Sequence, residues 1–363
     1  MAPGLLRQYG ETNFVTGMRA IAAFLVIGIH TGAFIHLGPL GENLTGNGKY
    51  GVEMFFVISG FTVAATFTRA PNFQGYFARR FFRIAPLYYL IVGLMFGLIL
   101  AGIVAQPVSP SEQVRGADLY NALMHITFLR GWDASIANTI LGVQWTIPIE
   151  VFWYLFLPLL LPLAASKRVF WWAFLAIVLF SALSHSLGNA LFYDLSGKFF
   201  PTSYGAHFFL GAAAWFARKR VKEGMAGRPE FKRAIAGFLL LVIVLFAPTN
   251  NALSPVLVGV ATALVLSSYQ QNFFWTPLCT RPFLLLGSIS YSLYLWHILV
   301  ISVLPLIVPQ WQFTKGIEQF ALVSLITILL SILTYITVER PTNRWGAMVA
   351  ARLNKRSLPT PSL

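Results

Sequence analysis

Ten runs of mostly apolar residues constrain this chain more than any other feature of its sequence. A helix that crosses the hydrocarbon core of a bilayer needs about 20 such residues. The runs cover residues 14–35, 51–68, 83–104, 145–164, 169–187, 202–217, 234–248, 253–270, 284–305 and 317–337. Only 10% of the 363 residues are charged and the mean hydropathy is +0.69, which excludes an ordinary soluble enzyme and a disordered protein. The sequence therefore predicts an all-α, polytopic helix bundle of about ten transmembrane helices in the lipid bilayer.

The basic residues are distributed unevenly between the segments that join these runs. With the N-terminus inside, the inner segments hold 21 of the 26 lysines and arginines and the outer segments hold 5. The outer five are Lys49, Arg115, Arg130, Lys198 and Lys315. The positive-inside rule then predicts that both termini are cytoplasmic. The same distribution accounts for the net charge of +14 without a basic domain, so we expect no nucleic-acid partner.

One further apolar stretch, residues 119–129, is too short to cross a bilayer and ends beside Arg130. We interpret it as an interfacial or re-entrant helix on the outer side. Residues 1–345 are predicted to form one membrane domain. Residues 346–363 are predicted to be a short basic cytoplasmic tail, which we expect to be disordered.

Ionisable side chains within the apolar runs are functional candidates, because a charge in the hydrocarbon core is costly. Arg19 and His30 lie on one face of the first predicted helix, about 16 Å apart along its axis. Glu53 and Glu150 open the second and fourth runs, and His297 lies in the ninth. A carboxylate beside a histidine orients the ring and raises its basicity, so we expect His30 and these three groups to form a catalytic cluster. Interhelical hydrogen bonding is the structural alternative.

Three arginines, Arg79, Arg80 and Arg83, lie at the start of the third run. Arg80 and Arg83 share a helix face near the predicted N-terminus of that helix, where the helix dipole favours anions. Guanidinium groups bind phosphate bidentately. Together with Arg19, the pair is a candidate phosphate site below His30, and a positive-inside anchor is the alternative.

Two classes of protein fit these groups. One is a membrane enzyme, and the other is a secondary transporter or flippase that uses histidine and glutamate as proton relays. The sequence contains no Walker loop, dinucleotide fingerprint, Cys-x-x-Cys pair or Gly-x-Ser-x-Gly elbow. Its single cysteine, Cys279, excludes a multi-cysteine metal site, and we expect no metal.

Six blocks of sequence occur in the order typical of one family. They are RAIAAFLVIGIH from Arg19, GVEMFFVISGF from Gly51, RFFRIAPLY from Arg80, WTIPIEVFWY from Trp145, GSISYSLYLWH from Gly287 and ERP from Glu339. Together they resemble the acyltransferase 3 family of integral membrane acyltransferases, over about residues 13–345. The resemblance implies ten spans, and O-acylation of a hydroxyl on a carbohydrate or small-molecule acceptor. The implied donor is a cytoplasmic acyl-CoA, usually acetyl-CoA, and the implied location is the bacterial cytoplasmic (inner) membrane.

The resemblance also assigns residues. The essential histidine and arginines of the family correspond to His30, Arg19, Arg80 and Arg83. Glu150 and His297 lie in the later motifs. Glu53 stands where the family more often has aspartate. Pro148 interrupts the block before Glu150, so the sequence does not determine the backbone conformation at Glu150.

A mechanism follows as a hypothesis. The arginines bind the phosphates of acyl-CoA, and His30 either deprotonates the acceptor hydroxyl or carries the acyl group covalently. Glu53 or Glu150 would hold the ring of His30. The sequence leaves open the acceptor, the choice between acetyl and succinyl or longer donors, the route of the acyl group across the membrane and the oligomeric state.

Overall fold

The computed structural model describes residues 13–69, 72–107, 115–133, 135–191, 199–222, 230–249, 252–268, 276–309 and 315–356. Within these ranges the chain forms fourteen α-helices and no β-strand. They are α1 (Asn13–Thr31), α2 (Gly38–Asn47), α3 (Gly51–Phe67), α4 (Phe73–Leu100), α5 (Leu119–Ile126), α6 (Thr146–Ala165), α7 (Phe170–Leu191), α8 (Gly205–Lys222), α9 (Glu230–Phe246), α10 (Ser254–Ser267), α11 (Arg281–Ser288), α12 (Ser290–Ile307), α13 (Ile317–Thr334) and α14 (Arg340–Arg356). A π-helical turn, Tyr335–Glu339, joins α13 to α14.

Seven helical segments are long enough and apolar enough to cross a bilayer, so the protein is a polytopic helical membrane protein. Helices also occupy the other three predicted runs, as α8, α9 and α10. These three are less typical spans, because α8 ends in a basic stretch and α9 and α10 have 17 and 14 residues. The count of ten spans and the cytoplasmic location of the termini stay predictions.

Two predicted runs are interrupted. The first helix ends at Thr31, and Gly32 and Gly38 then adopt positive φ angles of 66° and 71°, a conformation that only glycine enters without strain. The helix α2, which the sequence did not predict, follows before α3. The ninth run is broken at Ile289, which separates the short α11 from α12.

The helix α4 begins at Phe73, ten residues before its predicted start. The side chain of Asn72 caps it by accepting a hydrogen bond from the backbone N–H of Gly75 at 2.8 Å. Gly75 also lies against Ala350 of α14. The charged first turns of α4 are therefore stabilised by a partner helix that a hydropathy pattern does not reveal.

The predicted disordered tail is helical over residues 346–356. The helix α14 continues α13 through the π-helical turn and packs along the start of α4. Gly346 permits close approach, since a β-carbon there would lie 2.8 Å from the side chain of Phe82. Residues 357–363 lie outside the described residues.

The short apolar stretch before Arg130 forms α5, which has eight residues and a length of about 12 Å. The hydroxyl of Tyr89 donates to the carbonyl of Ile126 at 2.7 Å, and the ring of Phe128 lies 5.1 Å from that of Tyr88. Tyr89 is eleven residues, or about 16 Å, from the end of α4 at Leu100. The turn after α5 therefore contacts α4 well below the end of that helix, which favours the re-entrant interpretation.

Two contacts show that α1 and α12 run parallel. Arg19 contacts Ser290 near the starts of the two helices, and His30 contacts His297 further along both. Parallel first and ninth runs require an odd number of crossings between them. The predicted topology places seven crossings between them, which is an odd number. If α5 also crossed the membrane, the number would be even and the first and ninth runs would be antiparallel.

Glycines bring α3 and α8 together. A β-carbon at Gly60 would overlap the backbone of Phe208, and one at Gly211 would overlap the carbonyl of Val57. Small residues at such crossings are a common means of packing membrane helices. The close contact fixes the orientation of α3, which carries two residues of the site described next.

Candidate active site

His30 and His297 form the centre of the candidate site. Their rings lie 5.3 Å apart between centroids, at an interplanar angle of 41°. His297 is fully buried and His30 is half-buried. The structure thus brings together the two predicted histidines, which come from distant parts of the chain.

The hydrogen bond of His297 fixes which ring nitrogen is basic. Nδ1 lies 3.2 Å from the carbonyl oxygen of Leu293. Because a carbonyl can only accept, Nδ1 carries the proton and, in the neutral ring, Nε2 carries the lone pair. Nε2 is buried and has no hydrogen-bond partner among the described residues. His297 therefore presents an unsatisfied proton acceptor next to His30.

The predicted contact between a carboxylate and the two histidines is absent among the described residues. Over the described ranges, neither Glu53 nor Glu150 forms a hydrogen bond with His30 or His297. Instead, Oε1 of Glu150 accepts a hydrogen bond from Ser59 Oγ at 2.6 Å. The packing of α6 against α3 causes this, because it sets Glu150 opposite the middle of α3. The structure thus shows no contact through which Glu53 or Glu150 holds the imidazole ring, and a catalytic role for either glutamate stays a prediction.

Pro148 does not disturb the backbone at Glu150. It is the third residue of α6, in the first turn, where a missing N–H removes no helical hydrogen bond.

The hydroxyl of Tyr154, one helical turn after Glu150, lies 3.3 Å from Ser59 Oγ and donates to it. Tyr154, Ser59 and Glu150 thus form a chain of polar contacts inside the bundle. Neither Ser59 nor Tyr154 is among the site residues that the sequence predicts.

Glu53 lies in the first turn of α3, where it is buried and the helix dipole favours its charge. Its Oε2 has no hydrogen-bond partner among the described residues. Tyr294 lies within electrostatic range of Glu53, and the ring of Tyr294 is 5.9 Å from that of His297. Glu53 is therefore near the histidine pair without contacting it.

The candidate phosphate-binding arginines keep their guanidinium groups free of carboxylates. Arg19 Nε donates to Ser290 Oγ at 3.3 Å, and Arg80 Nη2 donates to Thr66 Oγ1 at 3.1 Å. In the part of the chain that the structure describes, the sole ion pair within 4.0 Å joins Arg115 and Asp118, far from these residues in sequence. The arginines therefore retain donors for an external anion.

The surroundings of Arg80 differ from the prediction in one respect. Arg80 and Arg83 are the eighth and eleventh residues of α4, because that helix begins early. The dipole acts within about the first turn, so it does not help these residues to bind an anion. The guanidinium of Arg80 lies instead between two aromatic rings, at 5.5 Å from Tyr76 and 4.9 Å from Tyr154.

A cavity of about 30 Å³ extends from Arg19 to Tyr294, whose ring lies 5.9 Å from that of His297. Its polar lining comes from Arg19, Thr146, Glu150, Ser290, Tyr291 and Tyr294. Such a volume holds about one or two water molecules, so the cavity is narrow in this conformation. The eleven residues from Arg19 to His30 correspond to about 16 Å along α1.

Glu339 is a site residue to which sequence reasoning assigned no role. It is buried in the π-helical turn, accepts a hydrogen bond from Ser292, and lies within electrostatic range of Arg19 and Arg83. The feature of the sequence that could have identified Glu339 is its place as a glutamate at the end of a long apolar run. The described residues contain no group of three or more histidine, cysteine or acidic side chains that could hold a metal ion.

Comparisons with known proteins show the family of this chain. The sequence profile of a family described as an acyltransferase domain matches residues 12–336. The chain is 27% identical to Nodulation protein 10 of Rhizobium leguminosarum bv. viciae, over 97% of this chain and 99% of that protein. It is 24% identical to the O-acetyltransferase OatA of Staphylococcus aureus, over 97% of this chain and 61% of that protein.

A shorter similarity extends to an animal protein. The Regulator of hypoxia-inducible factor 1 of Caenorhabditis elegans is 30% identical over 36% of this chain and 26% of its own length. The chain thus spans nearly all of one bacterial relative and less than two thirds of the other two proteins. No solved structure matches the chain significantly.

Proposed function

This chain belongs to the acyltransferase 3 family of membrane O-acyltransferases, and we propose that it transfers an acetyl group from cytoplasmic acetyl-CoA to a hydroxyl of a carbohydrate or other small-molecule acceptor. The observation that carries the proposal is the histidine pair, His30 and His297, next to Tyr294, which lines a cavity together with Arg19. The proposed location is the bacterial cytoplasmic (inner) membrane.

The donor binds through its phosphates. Arg80 and Arg83 lie on one face of α4, Arg19 is close enough to Arg83 to interact with it electrostatically, and none of the three pairs with a carboxylate among the described residues. Guanidinium groups with free donors suit the phosphates of CoA. The pantetheine arm then extends through the cavity toward His30, over a distance similar to its own length.

Two routes of acyl transfer fit the histidine pair. In the direct route, an imidazole takes the proton of the acceptor hydroxyl, the oxygen attacks the thioester carbonyl, the C–S bond breaks and CoA leaves as the thiol with that proton. In the covalent route, a ring nitrogen of His30 attacks the thioester carbonyl, the C–S bond breaks, and CoA leaves as the thiol with the N–H proton of that ring, which leaves an acyl-imidazole. The hydroxyl then attacks the acyl group and gives its proton to Nε2 of His297. The bond between the acyl carbon and the ring nitrogen breaks, and the proton passes from His297 to His30. Both routes use the unsatisfied Nε2.

The test uses purified protein in nanodiscs with acetyl-CoA that carries a labelled acetyl group. Free CoA thiol and label transfer to an envelope-glycan extract are measured for the wild type, His30→Ala and His36→Ala. His36 is a matched control, because it is exposed near the same end of α1 and its ring bonds to the carbonyl of Lys315 at 2.9 Å. We expect loss of both readouts in His30→Ala and neither loss in His36→Ala.

Two other results would contradict the proposal. Donor binding with no thiol release, in the presence of every acceptor fraction, would contradict acyl transfer and favour the transporter or flippase, which has no reason to cleave a thioester. Thiol release from succinyl-CoA but not from acetyl-CoA would contradict the acetyl donor. Hydroxylamine-sensitive label on the protein, absent in His30→Ala, would identify the covalent route.

A further inference from the structure

Arg130 carries a charge that the sequence places at the outer surface and the structure buries completely. It begins the turn Arg130–Trp132 directly after the segment that contacts Tyr88 and Tyr89 in the middle of α4. The re-entrant turn thus carries a guanidinium into the bundle. Arginines at such depth usually mark a substrate or ion pathway.

One edge of this guanidinium has no acceptor. Nη1 donates to the carbonyl of Ala137, whereas Nε and Nη2 have no hydrogen-bond partner among the described groups. The Tyr88 hydroxyl is close enough to the guanidinium to interact with it electrostatically. By the distance and angle of a hydrogen bond, however, neither this hydroxyl nor Nε or Nη2 has a partner among the described residues. Nε and Nη2 form the side of an arginine that binds a carboxylate or phosphate bidentately. The free edge is therefore the edge that an oxyanion would occupy.

The described chain supplies no counter-ion to Arg130. No carboxylate of the described residues lies within 4.0 Å of it. Asp133, three residues later, accepts hydrogen bonds from Tyr120 and Ser135 instead. A buried and unpaired cation is costly. An anion from outside the chain would remove that cost.

Tyr294 connects Arg130 to the candidate active site. It lies within electrostatic range of Arg130, it lines the central cavity, and its ring is 5.9 Å from that of His297. Its hydroxyl donates to the carbonyl of Val143, in the same outer segment that accepts from Arg130. Tyr294 thus lies near both the guanidinium and the histidine pair.

We propose that Arg130 and Tyr88 bind an oxyanion, the carboxylate or phosphate ester of an acidic acceptor, as the acceptor approaches the histidine pair from the outer side. This inference rests on the proposed function, because it names the class of acceptor. Since the guanidinium is fully covered, the irregular segment around residues 135–143 must move before a ligand reaches the free edge, Nε and Nη2. Acidic sugars are then preferred over their neutral counterparts.

The test measures binding and does not depend on acyl transfer. The unfolding midpoint of the purified protein in detergent is followed against glucuronate, glucose 6-phosphate and glucose at constant ionic strength, because a ligand that binds the folded state raises the midpoint. The variants are Arg130→Gln, Arg130→Lys, Tyr88→Phe and the control Arg115→Gln. Arg115 is an exposed arginine of the same outer segment, paired with Asp118 at 2.7 Å.

We expect glucuronate, glucose 6-phosphate or both to raise the unfolding midpoint of the wild type, and glucose to leave it unchanged. A shift from glucuronate identifies a carboxylate ligand, and a shift from glucose 6-phosphate identifies a phosphate ester. Arg130→Gln should abolish the shift and Arg130→Lys should weaken apparent affinity by about tenfold or more, because lysine lacks the fork. Tyr88→Phe tests the site if Arg130→Gln does not fold. This variant should weaken the apparent affinity by about fivefold. Arg115→Gln should bind as the wild type does.

Three results would overturn the inference. They are equal shifts from glucose and the acids, an unchanged shift in Arg130→Lys, and an equal loss in Arg115→Gln. CoA release from acetyl-CoA is recorded on the same preparations. A protein that releases CoA but shows no acid-dependent shift refutes the oxyanion site and leaves the proposed function intact.

Discussion

The imidazole rings of His30 and His297 lie 5.3 Å apart because α1 and α12 run parallel and pack together. At this distance, two imidazolium charges would repel strongly, so only one of the two rings readily becomes an imidazolium at a time. We therefore expect this pair to pass protons between the acceptor hydroxyl and the leaving group without a carboxylate.

Replacement of His297 should separate donor chemistry from acceptor chemistry. In His297→Gln, we expect the turnover rate for transfer to fall by about 100-fold or more, because Nε2 no longer takes the hydroxyl proton. Binding of CoA should be unchanged. Steady-state kinetics and CoA binding by calorimetry check this, with His207→Gln on α8 as the buried control. A turnover rate within about threefold of the wild type, a difference of about 0.6 kcal/mol in activation free energy, would exclude a role for Nε2.

Replacement of Glu150 distinguishes the structure from the sequence hypothesis. Because Glu150 contacts Ser59 and neither histidine, Glu150→Gln should slow turnover by less than about tenfold, since glutamine still accepts the bond from Ser59. Loss of its negative charge should leave the KM for acetyl-CoA equal or lower. Turnover slowed by about 10²–10⁴-fold, as removal of a general base slows it, would show that Glu150 acts on the histidines in the working enzyme.

Arg80 should be sensitive to a change that conserves its charge. Arg80→Lys loses both the planar donors and the contacts with the rings of Tyr76 and Tyr154. We expect the KM for acetyl-CoA to rise by about tenfold with a smaller change in kcat. The thiol-release assay checks this, and Arg79→Lys is the adjacent control. An equal rise in the control would assign the effect to general positive charge.

Asn47 should contribute to stability and not to catalysis. Its buried amide donates to the carbonyls of Val244, Leu245 and Ala247, at 3.0, 3.1 and 2.7 Å, and so caps the end of α9. Asn47→Ala leaves these groups without their donor and should destabilise the fold by about 1–3 kcal/mol. Thermal unfolding in detergent is the measurement. Asn43→Ala, at a partly exposed residue that donates only to Phe246, should have a much smaller effect.

The sequence predicts those parts of the fold that depend on a single segment. The length of an apolar run determines where a membrane helix forms, so helices occupy all ten predicted runs. The relation between Arg19 and His30 is also predictable, because both lie on one helix. The pairing of His30 with His297 was expected from similar depth and is found in the structure.

The remaining features depend on contacts between segments. The partner of Glu150 is set by the register of α6 against α3, which a linear pattern does not encode. The early start of α4 depends on α14, and the burial of Arg130 depends on a turn that re-enters the bundle. An arginine after a short apolar stretch is normally an interfacial anchor, so its sequence context gave no sign of burial.

The unbroken helix through α13 and α14 has a practical consequence. It runs from Ile317 to Asn354, 38 residues, which corresponds to about 57 Å. The hydrocarbon core is about 30 Å thick, so close to half of this rod stands outside it together with the first turns of α4. A rigid feature that projects from the detergent belt gives particle images an unambiguous orientation. Single-particle electron microscopy could therefore align this small protein without a bound antibody fragment.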